Sequence, residues 1–257
     1  MRATIISAAL MLACCGEADA GASLRDAKAD AGTRADPPHS PSVDRRTYEQ
    51  RVSDLETRRH AMATALQTID DPTDRARHID NARNVAIKTI VEDLLPAWYG
   101  TPWAMNGTAT HPGDEPIACG YFVSTLLRDA GFSLHRVRFG QAAALRIQKA
   151  TTPSGRKVHR FFSIPPASLA HEIAALGDGL YIIGLNVHVG FVVVDGGDVG
   201  FVHSSYTGDR QVSNEPLAEA QAIANSQPAG YFVSELLTTD DAVKDWLTAR
   251  PLTLPES

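Results

Sequence analysis

The sequence predicts an α+β fold, on three observations. Residues 45–95 carry apolar side chains at helical spacing, broken once by Asp70-Asp71-Pro72-Thr73. Cys119 to Ala130 places Phe122, Val123, Leu126, Leu127 and Ala130 on one helical face, with Gly131 as a natural C-cap. From residue 180 onward, short segments rich in β-branched and aromatic residues alternate with Gly and Asp, the pattern of strands and tight turns.

The elements follow in chain order. Arg2 precedes an apolar run, Ala3 to Ala13, ended by Cys14-Cys15-Gly16. A short basic start, a brief apolar run and small residues describe an export signal over residues 1–15, too short to span a bilayer as a mature helix. MLAC and LACC resemble the lipobox of bacterial lipoproteins, with Met where Leu is usual before Cys14, and Cys where a small residue is usual before Cys15. The resemblance implies lipidation at Cys14 or Cys15 and attachment to a bacterial membrane, which needs several acyl chains to be stable. Simple secretion is the alternative. Residues 16–44 are rich in Ala, Asp, Gly, Pro and Ser, and predict a disordered tether.

Residues 45–96 predict an antiparallel helical pair. The first helix runs from Arg45 to Ile69 on Tyr48, Val52, Leu55, Met62 and Leu66. The second runs from Thr73 to Leu95 and is ended by Pro96. Arg58, Arg59, Arg75 and Arg77 are expected on a solvated face. Residues 97–250 form the main domain. Beyond the Cys119 helix, a short helix is expected at Ala142–Ala150, a strand at Val158–Ile164 and a helix or turn at Pro166–Ala175. Strands follow at Leu180–Leu185, His188–Val194 and Val199–Ser204. Asp195-Gly196-Gly197-Asp198 between the last two signals a hairpin.

The octapeptide GYFVSTLL at Gly120–Leu127 recurs as GYFVSELL at Gly230–Leu237. Thr238-Thr239-Asp240-Asp241 follows the second copy and starts a helix carrying Val243, Trp246 and Leu247. A helix beginning there predicts that the second copy is a strand, with context setting its structure.

A net charge of −6 gives no reason to expect a nucleic-acid partner. There are three cysteines, two of them at the end of the export signal, so Cys119 is the one left to the folded domain and has no disulfide partner there. A free cysteine is often a small buried hydrophobe. At a helix start, however, unpaired N–H groups and the helix dipole favour the thiolate, the form that acts as nucleophile. Gly120 behind it permits close approach of backbone or substrate. A nucleophilic cysteine also needs a base and a group to orient that base.

Among nine histidines, His188 and His203 stand in apolar strands. With a loop centred on Gly196-Gly197, Asp195 pairs with Asp198 and Gly190 with His203. His188 and His203 then share a face, diagonal to one another and about 7–8 Å apart along the backbone. Gly190 leaves room for an imidazole. His111 is close to Cys119 in sequence and could line the same site. Two structural histidines, or a zinc site of Cys119, His188 and His203 with an open fourth position, are alternative readings of the same residues.

These residues resemble the NlpC-like bacterial cell-wall cysteine peptidases. The matching pattern is Gly100-Thr101-Pro102-Trp103 with Asn106-Gly107, then Ala118-Cys119-Gly120-Tyr121-Phe122-Val123. Val187-His188-Val189-Gly190 and Phe201-Val202-His203-Ser204 complete it. The resemblance covers about residues 98 to 206. It implies a papain-like core, with an antiparallel sheet packed on the nucleophile helix. Cys119 would be the nucleophile, His188 the general base and His203 the group that holds it. Trp103 matches an aromatic, commonly Tyr, that shapes the oxyanion region; Asn106, Gly120 and Tyr206 belong to the same expected substrate region. The implied substrate is an amide bond in peptidoglycan peptides, with no cofactor. The family usually has Asp before the cysteine and Ser after it, where this chain has Ala118 and Gly120. A catalytically inactive envelope scaffold is the non-enzymatic alternative.

Overall fold

The computed structural model describes residues 46–256. The expected export signal, the lipidation at Cys14 or Cys15 and the tether lie outside the described residues. Helix α1 (Tyr48–Leu66) starts at Thr47, whose side chain caps Gln50 while Gln50 caps Thr47 in return. Helix α2 (Pro72–Lys88) starts at Asp71, which accepts from the N–H groups of Thr73 and Asp74.

Pro96 does not end this second helix. The chain passes through a π-helical turn, Thr89–Leu94, into a short helix α3 (Leu95–Ala97). The Leu95 N–H bonds the Ile90 carbonyl, five residues back. This shift of register puts Pro96 in the first turn of a new helical segment, where its missing N–H costs little.

Arg59 is a second correction. It is buried rather than solvated, and donates from Nη1 to the carbonyls of Trp246 (3.1 Å) and Leu247 (2.7 Å). These carbonyls lie in the last turn of a C-terminal helix, where a cation is favoured by the helix dipole. Arg58, Arg75 and Arg77 are exposed as expected. Tyr48 donates to Asp129 Oδ2 at 2.8 Å and receives from Trp98 Nε1 at 3.0 Å, so α1 is tied to the chain beyond residue 97.

Helix α4 (Cys119–Asp129) ends as the sequence predicts. Gly131 lies at φ +88°, its N–H bonds the Arg128 carbonyl, and the Phe132 N–H bonds the Leu127 carbonyl. Helix α5 (Arg136–Gly140) is an addition to the expected elements, while α6 (Ala144–Thr151) matches the expected short helix. Then come β1 (His159–Phe161), α7 (Pro166–Ala174), β2 (Gly179–Gly184), β3 (Val189–Asp195) and β4 (Asp198–Ser204). The chain closes with β5 (Val212–Pro216), α8 (Gln221–Ser226), β6 (Tyr231–Leu236) and α9 (Asp240–Leu247).

The six strands form one antiparallel sheet in the order β1-β6-β2-β3-β4-β5. Both faces are covered. Alternation along β2 sends Leu180 and Ile182 into a core shared with α4, and Tyr181 and Ile183 into a second core shared with α7 and α8. In the first core, Phe122 of α4 meets Trp98 and Phe191 edge to face, at 5.9 and 6.0 Å between centroids. The two octapeptides adopt different structures, α4 and β6. Their one differing residue meets a different arginine in each: Thr125 accepts from Arg136 Nε at 2.7 Å, and Glu235 takes a bidentate pair from Arg156.

Candidate active site

Cys119 is the first residue of α4, and Ala118 before it offers no side-chain cap. The approach to that helix start is held by backbone bonds. Ile117 N–H bonds the Pro102 carbonyl, Ala118 N–H bonds the Gly107 carbonyl, and Ser204 Oγ at the end of β4 donates to the Ile117 carbonyl at 2.7 Å. Gly120 has a structural reason to be glycine: a Cβ there would overlap the Gly140 carbonyl oxygen at the end of α5.

The hairpin takes the expected register. Asp195 pairs with Asp198, and Phe191 with Val202. A Cβ on Gly190 would meet the Phe201 ring at 2.6 Å and His203 Cβ at 2.8 Å, so the missing side chain is what admits the imidazole. His188 Nε2 lies 2.7 Å from His203 Nδ1, with the rings nearly perpendicular. His203 is stacked on Phe201 at 3.9 Å, and His188 meets the same Phe201 edge to face. Both rings are buried. They share the sheet face that carries Phe201, whereas Val189 and Phe191 point into the core under α4. The two rings therefore lie on the sheet face turned away from α4, while the sulfur meets the chain at the starting end of β3.

At that end the sulfur lies against the Val189 N–H, the residue next to His188. Sulfur and ring are not hydrogen-bonded to each other: His188 Nε2 is taken by His203, and His188 Nδ1 is buried with no partner. Burial pushes the Cys119 thiol up, against the N–H groups of Val189, Gly120 and Cys119 itself, which favour the thiolate. This corrects the expectation from the helix start alone: desolvation outweighs the helix tip. Burial, and secondarily the neighbouring His203, holds His188 well below the usual histidine range. Burial lowers His203 too, opposed by its contact with Glu215. Burial thus favours the neutral thiol and the neutral imidazole alike.

Trp103 and Tyr206 stand half-buried over the cluster. Tyr206 meets the His188 ring at 5.2 Å, and Trp103 meets Tyr206 at 6.3 Å. Asn106 differs in character: it is exposed on the turn closed by Gly107 N–H to the Ala104 carbonyl. His111 is exposed and pairs with Thr110. Two residues of the site escape the sequence reading. Glu215 on β5 places Oε1 2.7 Å from His203 Nε2. Arg210 lays its guanidinium over the Trp103 ring at 4.7 Å.

The zinc alternative fits this geometry poorly. The facing nitrogens of His188 and His203 bond each other, and His203 Nε2 is turned to Glu215. Among the described residues no group of three or more His, Cys, Asp or Glu side chains is spaced to hold a metal ion. No protein-family model, curated protein or solved structure matches this chain.

Proposed function

We propose that this chain is an exported cysteine hydrolase of papain-like fold, related to the NlpC-like peptidases, that cleaves an amide bond in peptidoglycan peptides. The observation that carries the reading is the bare, buried Nδ1 of His188 beside the strand end where the Cys119 sulfur rests. A buried ring nitrogen without a partner is costly, and a base awaiting a proton accounts for it. The resemblance in the order Trp103, Cys119, His188, His203 supports the wall-peptide substrate, and the lipobox-like start supports the envelope location. No helix among the described residues is long and apolar enough to cross a membrane.

The chemistry runs through these groups. Substrate binding brings Sγ to Nδ1. The thiol proton passes to Nδ1 as sulfur attacks the amide carbon, forming the C–S bond. The backbone N–H of Cys119 helps hold the oxyanion. The C–N bond then breaks, and the proton on Nδ1 goes to the leaving amine. Water attacks the thioester, His188 takes its proton, and the acid product leaves with the thiol restored. His203 holds the His188 ring in place throughout.

Purified protein incubated with defined muropeptides, with products read by mass, tests this. Wild type is expected to release shortened peptides and Cys119→Ala to release none. Equal hydrolysis by the two, or none by wild type, overturns the reading. The raised thiol favours a second reading, a non-catalytic envelope scaffold, which predicts that wild type and Cys119→Ala alike leave the muropeptides intact.

A further inference from the structure

The histidine pair does not end the chain of bonds. Glu215 is diagonal to His203 across the β4–β5 pairing, in which Phe201 faces Glu215 and His203 faces Ser213. The carboxylate is partly exposed, while the His203 side chain is wholly buried. A line of contacts thus runs inward from solvent: Glu215 Oε1 to His203 Nε2 at 2.7 Å, His203 Nδ1 to His188 Nε2 at 2.7 Å, and on to the bare His188 Nδ1.

An ionised carboxylate only accepts hydrogen bonds. His203 must then carry its hydrogen on Nε2, and as a neutral ring it presents a lone pair at Nδ1. His188 must donate to that lone pair from its own Nε2, which leaves a lone pair on Nδ1. We infer that Glu215 is a positioning residue that sets the tautomers of both buried histidines in one sense, so that the buried Nδ1 of His188 is unprotonated. The catalytic roles of Cys119 and His188 rest on the function proposed above; the setting of the tautomers does not.

The test is nitrogen NMR on protein labelled in the histidine rings, comparing wild type with Glu215→Gln. In wild type, both rings are expected to show protonated, pyrrole-type Nε2 and bare, pyridine-type Nδ1. An amide can donate as well as accept, so the variant admits the reverse sense. There, the new amide would donate to His203 Nε2, and both rings would carry hydrogen on Nδ1. A mixture of the two senses is therefore expected in the variant, with alkylation of Cys119 slowed in proportion to the reversed population. Two results overturn the inference: hydrogen on Nδ1 of either ring in wild type, or a variant spectrum identical to wild type. The substitution is isosteric at a partly exposed position, and a retained melting temperature establishes that the variant folds. Set tautomers with no muropeptide hydrolysis would end the hydrolase reading alone. Hydrolysis with tautomers indifferent to Glu215 would end this inference alone.

Discussion

Cys119 and His188 are each moved by burial toward the neutral form, and this has measurable consequences. With the thiol raised, the rate of Cys119 alkylation by iodoacetamide is expected to climb with pH to a midpoint above that of an unperturbed cysteine; a midpoint below it would contradict the burial argument. The histidines act on stability. His188 and His203 are both held below the ordinary histidine value of 6.5 in the folded chain. As pH falls below that value the unfolded chain takes up protons that the folded chain refuses, so stability present at pH 7 declines toward the folded values. Melting temperatures between about pH 7.5 and 5 should fall, and His188→Asn should flatten the slope. The sequence disclosed the identity of these two groups and their neighbourhood, because strand alternation and a Gly-Gly turn fix which side chains are neighbours. It did not disclose their protonation state. Whether a helix start is wet or dry depends on the sheet packed against it, whose strands arrive from far along the chain.

Among the elements, α4 and α5 touch backbone to backbone at Gly120 and Gly140, and this contact has no room for a methyl group. Gly120→Ala is expected to cost about 1–3 kcal/mol in chemical denaturation, by forcing the start of α4 away from α5, and to lower Cys119 alkylation as the sulfur moves from the Val189 N–H. Retained stability with retained reactivity would show that the contact gives way freely. The β3–β4 hairpin was legible because Asp195-Gly196-Gly197-Asp198 leaves few registers open. Strand β5 was not: it is an edge strand whose one buried side chain is Val212, and it ends at Pro216, so it lacks the apolar run that marks β2 and β3. Missing β5 meant missing Glu215, which a look for polar partners one strand beyond His203 would have found. The π-helical turn before Pro96 was illegible for another reason, since proline carries no mark of whether the preceding register will shift to receive it.

At the scale of the molecule, α1 and α2 belong to the same packed body as the sheet. Leu55, Ile79, Ala82 and Ala86 share the core with Trp98, Phe122 and Phe191. Arg59 adds a polar bolt to α9, and Arg83 bonds the Leu237 carbonyl at 2.9 Å and Oδ1 of Asp240, the first residue of α9, at 2.6 Å. Arg59→Met should lower unfolding free energy by about 3 kcal/mol, read by chemical denaturation, since two helix-end carbonyls and Glu56 lose a buried cation. Removing residues 46–88 should leave a chain without a cooperative thermal transition, because the first core would lose one wall; a truncated protein melting like the parent would show the wall to be dispensable.

The twin octapeptides carry a practical corollary. One copy is wound into α4 and the other is laced into the sheet at β6, and all but Tyr121 and Phe232 of their side chains are buried. An antiserum raised against the linear peptide GYFVSTLL would accordingly meet two epitopes on a denaturing blot and find neither on the native protein. Its binding would then serve as a direct gauge of unfolding.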